Sequence, residues 1–242
     1  MGIHKEQRKL NLKESCTMEE VKNVSLPLLG DPAPEFTANT TQGKINFPAD
    51  YKGSWVVLFS HPADFTPVCT TEFMTFASRQ EEFDALNTKL IGLSIDSLPS
   101  HIAWLESIEE LEWKDIKKPQ VKFPVIDDIS MNVASKYGMV QPNQSATAAV
   151  RAVFVVDPKG VIRTILYYPL STGRNFDEIV RIVQALQKAD KDKVATPADW
   201  RPGDDAIVPA VGSHKEAKER LGDLPDNEYS LAWYLTFRKD KE

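Results

Sequence analysis

One short segment holds most of the reactive side chains: His61-Pro62-Ala63-Asp64-Phe65-Thr66-Pro67-Val68-Cys69-Thr70-Thr71-Glu72. An apolar run, Trp55 to Phe59, precedes it and reads as a buried strand. Phe73, Phe76, Phe83 and Leu86 follow at helix-like spacings. Cys69 therefore lies in a strand-to-helix turn, in or just before the first helical turn. Thr66 suits the N-cap and Pro67 the first helical position. Backbone N–H groups and the positive helix end then face the sulfur and favour thiolate, the nucleophilic form. The plain alternative is a buried, inert cysteine. Arg151 opens a second apolar strand, an expensive place for a charge without a partner; the alternative is a strand-end arginine reaching solvent.

The pattern Pro62-x-x-x-Thr66-x-x-Cys69, continuing as Thr70-Thr71-Glu72, resembles the active-site loop of a peroxiredoxin. The flanks Phe59-Ser60-His61-Pro62 and Pro67-Val68-Cys69 are most similar to the one-cysteine subgroup. The resemblance runs from about Leu28 to about Val208. It includes Pro27-Leu28-Leu29-Gly30-Asp31, Arg151-Ala152-Val153-Phe154, Thr172-Gly173-Arg174-Asn175-Phe176 and Ala195-Thr196-Pro197-Ala198-Asp199-Trp200.

The resemblance implies a thiol-dependent peroxidase in antioxidant defence. Cys69 would attack hydrogen peroxide or an organic hydroperoxide and become a sulfenic acid, which an external thiol then reduces. It implies that Thr66 hydrogen-bonds the peroxide, that Pro62 shapes the loop and shields the sulfur, and that Arg151 lies beside Cys69. Glu72 would orient Arg151 through a bidentate pair; alternatively it is an acid favoured in a first helical turn. His61 takes a supporting role, as a hydrogen-bonding neighbour, a general acid or simply a packed histidine. Arg174 resembles a family position near the pocket or an interface, or is a solvated arginine at a helix start. The resemblance also implies homodimers, in some members joined into a decamer or another ring, with the C-terminal arm at the partner's active-site rim.

Composition bounds these readings. The chain has 242 residues, 42% hydrophobic and 26% charged, as in ordinary globular proteins. The net charge of −6 argues against a broad nucleic-acid surface. No apolar stretch is long enough to span a membrane, and the charged amino terminus lacks a secretory core; the expectation is cytoplasmic. With only Cys16 and Cys69 there is no disulfide scaffold, no four-cysteine zinc site and no C-x-x-C. His4, His61, His101 and His214 form no spaced ligand pair, so no metal or other cofactor is expected. No cysteine follows Cys69, where two-cysteine relatives generally carry the resolving thiol. Cys16 in the amino-terminal arm is the one remaining thiol.

Two rival functions fit less well. An ester hydrolase at Ser54 lacks the second glycine of a G-x-S-x-G elbow, and Ser54 precedes its strand instead of following one. A ring-shaped holdase would need no intact Cys69.

The elements that must position these residues alternate. Strands are expected at Trp55–Ser60, Lys89–Ile95 and Phe123–Ile126. Helices are expected after Thr66, at Pro99–Ile108 with Ile102, Leu105 and Ile108 on one face, at Ser130–Tyr137, and at Phe176–Lys188. Ala152–Val156 and Val161–Tyr168 flank the turn signal Asp157-Pro158-Lys159-Gly160. This pattern fits a mixed sheet covered by helices; the resemblance makes it an α/β, thioredoxin-like fold. The domain reading is an N-terminal extension over 1–25, with a short helix over Thr17 to Asn23 as an option, a peroxidase domain over 26–189, and a C-terminal dimerisation domain or arm over 190–242. The arm is expected to end in an edge strand over Tyr229 to Phe237.

Overall fold

The computed structural model describes residues 26–240 apart from positions 221 and 223; Cys16 and the optional helix at Thr17 to Asn23 lie outside them. In chain order the elements begin with β1 (Phe36–Thr40), β2 (Gly43–Phe47), β3 (Trp55–Ser60), α1 (Pro67–Ser78), α2 (Gln80–Ala85), β4 (Thr88–Ser94) and α3 (Leu98–Ile108). They continue with β5 (Glu112–Trp113), β6 (Ile116–Lys117), β7 (Val125–Asp127), α4 (Asn132–Lys136), β8 (Arg151–Val156), β9 (Ile162–Tyr168) and α5 (Phe176–Asp192). The C-terminal region adds β10 (Ala206–Ile207), α6 (His214–Glu219), β11 (Glu228–Ala232) and β12 (Leu235–Arg238).

The main sheet has seven strands in the order β2-β1-β7-β4-β3-β8-β9. β3, β4 and β7 are parallel; β8 and β9 close one side antiparallel. Every residue of β3 and β8 is buried, which is why both read as unbroken apolar runs. Parallel pairing puts the C-terminal ends of β3, β4 and β7 along one edge, and the Cys69 loop leaves β3 at that edge. α/β sheets place ligand sites outside these ends. One core layer packs α1, α3 and α5 on the sheet through Phe59, Phe73, Phe76, Trp104 and Ile179. The other covers the opposite face with Ile45, Phe47, Tyr137, Met139 and Phe154.

Several expectations shift. The aromatic run after Cys69 is two helices broken at Arg79, whose φ of −106° leaves the helical range. In α3 the buried residues are His101, Trp104 and Ile108, while Ile102 is exposed. The indole carries the packing that the aliphatic spacing had assigned to Ile102. α5 runs to Asp192, a turn past Lys188, where Arg163 grips Asp190 at 2.7 Å and Lys188 pairs with Asp192 at 3.0 Å. The expected edge strand at Tyr229 to Phe237 is a hairpin, β11 and β12, reversing at Trp233-Tyr234 and joined by β10 in a separate three-stranded sheet. Its two arms each alternate, so one continuous strand and a hairpin share the same pattern. The β1–β2 hairpin was not expected, although Phe36/Ala38 and Ile45/Phe47 alternate about a Gly43 turn with φ 102°. No helix among the described residues is long and apolar enough to cross a membrane.

Candidate active site

Pro67 is the first residue of α1 and Thr66 its N-cap by backbone position, with φ −106° and ψ 146°. The Thr66 hydroxyl makes no cap bond, however. It donates to the Ala63 carbonyl at 2.8 Å, so its oxygen keeps its acceptor lone pairs. The loop is thereby closed on itself by Thr66 and not by the helix end. Cys69, at the third helical position, is fully buried. Val68 borders it and contacts the Gly173 loop, where a side-chain carbon on Gly173 would meet Val68 Cγ1 at 3.5 Å.

Arg151, the first residue of β8, is the nearest cation. Its Nη1 lies 3.3 Å from Cys69 Sγ and 2.8 Å from Glu72 Oε2. Its Nε and Nη2 donate to the Leu170 carbonyl at 3.1 and 2.9 Å. The whole guanidinium is fixed from two sides and held in the interior, so the solvent-facing alternative for Arg151 does not hold. Glu72 lies one turn after Cys69, buried between two arginines. Burial pushes its carboxyl up, but Arg174 and then Arg151 outweigh that and hold it below the usual glutamate range.

Arg174 is not a solvated helix-start residue either. Its Nε and Nη2 donate to the two oxygens of Glu72 at 3.0 and 2.6 Å, and its own backbone N–H donates to Oε1 at 2.9 Å. Its Nη1 donates to the Ser60 and Ala152 carbonyls, where β3 and β8 end and begin. The guanidinium carbon stands 5.1 Å from the Phe59 ring centre. Arg174 thus ties α1, β3 and β8 together, while the bidentate pair expected for Glu72 and Arg151 is made instead by Glu72 and Arg174.

His61, directly after β3, is also fully buried. Its Nε2 meets Asp64 Oδ1 at 2.9 Å, and its Nδ1 has no hydrogen-bond partner. Burial pushes His61 below its ordinary value, with the bond to Asp64 opposing. Asp64 and His101 were not singled out in the sequence, yet both join this group. His101 Nδ1 meets Asp64 Oδ2 at 2.8 Å, and Ser100 Oγ donates to the same oxygen. No sequence spacing joins His61 to His101; the parallel pairing of β3 and β4 brings them together across Asp64. Pro62 is half-buried in the same loop. Ser54, at the other end of β3, donates to the Asn87 side-chain oxygen and not to a histidine.

A buried sulfur at a helix start, within hydrogen-bond reach of a fixed guanidinium, is suited to nucleophilic redox chemistry. Residues 29–165 match the AhpC/TSA family, and residues 185–224 match the C-terminal domain of 1-Cys peroxiredoxin. The chain belongs to the one-cysteine peroxiredoxins. A peroxiredoxin from Methanosarcina mazei is 63% identical over 218 residues, 90% of this chain and 100% of that protein. One from Aquifex aeolicus is 52% identical, over 89% of this chain and 98% of its own. Among solved structures, a yeast mitochondrial 1-Cys peroxiredoxin, studied for thiol resolution by glutathione/thioredoxin systems, superposes with TM-score 0.76 at 45% identity. That match covers 89% of this chain and 100% of the yeast one. A cysteine-to-serine mutant of peroxiredoxin 6 from Arenicola marina gives TM-score 0.77 at 37% identity, over 89% and 99%. The fold is therefore thioredoxin-like, and this peroxiredoxin is a thiol-dependent peroxidase. Of the small C-terminal sheet, β10 lies within the second family match, and β11 and β12 follow it.

Proposed function

We propose that this peroxiredoxin reduces hydrogen peroxide and organic hydroperoxides at Cys69 through a sulfenic acid, and that an external thiol restores it. The observation that carries the proposal is the Arg151 guanidinium, poised between Cys69 Sγ and Glu72. Arg151 stabilises the thiolate and polarises the peroxide. Thr66, with its hydrogen committed to Ala63, accepts the O–H of the peroxide and aligns it with the sulfur. Pro62 shields the pocket, Glu72 and Arg174 hold Arg151 in place, and His61 supports the wall of the pocket.

Thiolate attacks one peroxide oxygen, the O–O bond breaks, and the departing oxygen takes a proton: Cys69–S⁻ plus ROOH gives Cys69–SOH plus RO⁻, then ROH. A thiol then attacks the sulfenic sulfur, releasing water and leaving a mixed disulfide. A second thiol frees Cys69 and is itself oxidised to the disulfide. The sulfur does the redox chemistry, so the reaction calls for no metal, haem or flavin. No cysteine follows Cys69 in the sequence, which supports an outside reductant, a small thiol or a protein thiol.

The proposal extends to antioxidant defence in the cytoplasm and to assembly of residues 190–242 with a second subunit. Strand β9 lies at the edge of the main sheet with half-buried Ile165, Leu166 and Tyr168. The C-terminal hairpin exposes Leu231 at 70% and Tyr234 at 62%. Both features suit a homodimer. Phe65, Ile102 and Ile129, exposed near the site edge of the sheet, suit dimers joined into a decamer or another ring.

Peroxide consumption with alternative thiol donors, followed by intact mass, tests the chemistry. Cys69→Ser should consume no peroxide while staying folded, and the native chain should gain one oxygen at Cys69 per equivalent of peroxide. Turnover by folded Cys69→Ser would overturn the proposal and favour a thiol-independent role. Light scattering of the full chain tests assembly, with a monomer counting against it.

A further inference from the structure

A guanidinium carries five hydrogens in a rigid plane and prefers to meet a carboxylate through two of them at once. Arg151 and Glu72 do not meet that way. Arg151 offers Glu72 Oε2 a single nitrogen, Nη1, at 2.8 Å, and the same nitrogen lies 3.3 Å from Cys69 Sγ. Two restraints, both from the segment between β9 and α5, keep the pair single-pronged. Arg174 occupies Glu72 Oε1 through its Nε and its backbone N–H. The Leu170 carbonyl fills the other fork of Arg151, accepting from Nε at 3.1 Å and Nη2 at 2.9 Å.

Local structure sets the direction of that carbonyl. Arg151 and Tyr168 face each other in the β8–β9 ladder. Pro169 follows, and with no N–H it cannot extend the ladder. The chain then reverses: the Thr172 N–H donates to the Pro169 carbonyl at 3.1 Å, which makes Leu170 and Ser171 the central residues of a β-turn. The closing bond uses the first carbonyl of the turn and leaves that of Leu170 to accept elsewhere. Ser171 and Thr172 are exposed, whereas Leu170 is half-buried and Arg151 buried, so the turn presents this carbonyl inward.

We propose that Leu170 is a positioning residue for the peroxidase: its backbone carbonyl occupies the Nε–Nη2 fork of Arg151, diverts the guanidinium from a two-pronged pair with Glu72, and so keeps Nη1 for the Cys69 sulfur. This role rests on Cys69 being the residue that peroxide oxidises. The charged and titratable groups facing Arg151 are Cys69 and Glu72 from α1, Arg174 from the loop before α5, and Tyr168 opposite it on β9. A carboxylate matches the planar fork in a way that a single sulfur cannot. A guanidinium with a vacant fork therefore turns to Glu72 and leaves Cys69. A neutral carbonyl that takes two of the five hydrogens removes that choice, and it brings no negative charge to oppose the thiolate.

Lactic acid in place of Ser171, incorporated into the full chain by nonsense suppression, turns the amide after Leu170 into an ester, whose carbonyl is the poorer acceptor. The Ser171 N–H lost with it bonds to nothing among the described residues, and Ser171→Ala is the reference. Relative to that reference, stopped-flow oxidation of Cys69 by hydrogen peroxide should slow about tenfold, short of the about 10²–10³ for a donor lost outright, because the guanidinium is displaced and not deleted. Thiolate formation, read by ultraviolet absorbance in a Cys16→Ser background, should move to higher pH in the ester chain. Lactic acid in place of Ala210 is the control: it weakens the Pro209 carbonyl that accepts from Arg220, and it should change neither readout. In a Glu72→Gln background no carboxylate competes for Arg151, and the effect of the ester at 171 on the rate should largely vanish. An ester chain that oxidises and titrates like Ser171→Ala, or an ester effect of the same size with and without Glu72→Gln, would overturn the inference and leave the peroxidase reading intact. Native protein that gains no oxygen at Cys69 would overturn both.

Discussion

Arg174→Ala should be among the most damaging single changes outside the reacting atoms. The guanidinium side chain is fully buried and pairs with an equally buried carboxylate. Removing one partner of a buried ion pair costs about 3–5 kcal/mol. Arg151 remains to neutralise Glu72 in part, which pulls the cost toward the lower end. The Ser60 and Ala152 carbonyls lose a donor as well, which pulls it back up. A loss of about 4 kcal/mol is the balance, and in a chain of this size it lowers the melting temperature by about 8–16 °C. Arg174→Lys keeps the charge but not the two-pronged geometry and should lose about half as much. Arg79→Ala is the control: it also removes an arginine bound to two acids, Glu82 and Asp177, but those acids are about half or more exposed. Exposed pairs contribute about 0–1 kcal/mol. Calorimetry or circular dichroism on the three variants reads the order directly. In a double-mutant cycle, Glu72→Gln and Arg174→Ala should couple by more than about 1 kcal/mol. If Arg174→Ala melts with Arg79→Ala, the clamp contributes nothing and the argument from burial fails.

Arg151→Met should slow sulfenic acid formation by about 10²–10³, the usual cost of losing one donor aimed at developing charge, and stopped-flow oxidation measures it. Thr66→Val should slow the same step with a smaller loss of stability; native oxidation rates in both variants would refute the pocket assignment. Asp64 and Glu72 are both held below their ordinary ranges. Their stabilisation is therefore complete above the unfolded carboxyl values of about 4 and fades as pH falls through the depressed folded values. Urea midpoints of native protein should drop on acidification through that window, and Asp64→Asn should flatten the drop; parallel curves would show that Asp64 takes no part.

The sequence by itself determined the local chemistry. The step from the apolar run ending at Ser60 to the aromatic helix after Pro67 fixed Cys69 at a helix start, and the proline at the first helical position marks that boundary without any tertiary information. The Asp157-Pro158-Lys159-Gly160 turn likewise announced β8 and β9, because turn geometry is set by the residues within it. Trp104 shows where periodicity stops: Ile102, Leu105 and Ile108 have a plausible spacing, but which face of α3 is buried depends on the sheet it meets. Thr66 shows the same limit on a smaller scale. Its backbone position was readable, whereas the direction of its hydroxyl is decided by the Ala63 carbonyl in a loop whose path is set elsewhere.

Partners distant in sequence belong to the tertiary structure alone. Arg151 reaches Cys69 because β8 lies antiparallel beside β3, and Arg174 reaches Glu72 because the segment before α5 folds back over α1. Neither contact leaves a period or a spacing in the chain. His61, Asp64 and His101 meet because β3 and β4 run parallel and release their loops at one edge. Helix starts and turns are governed by forces within a few residues, and a sequence records them. The protonation of a buried histidine is governed by whatever the fold places against it, and only the packed structure supplies that.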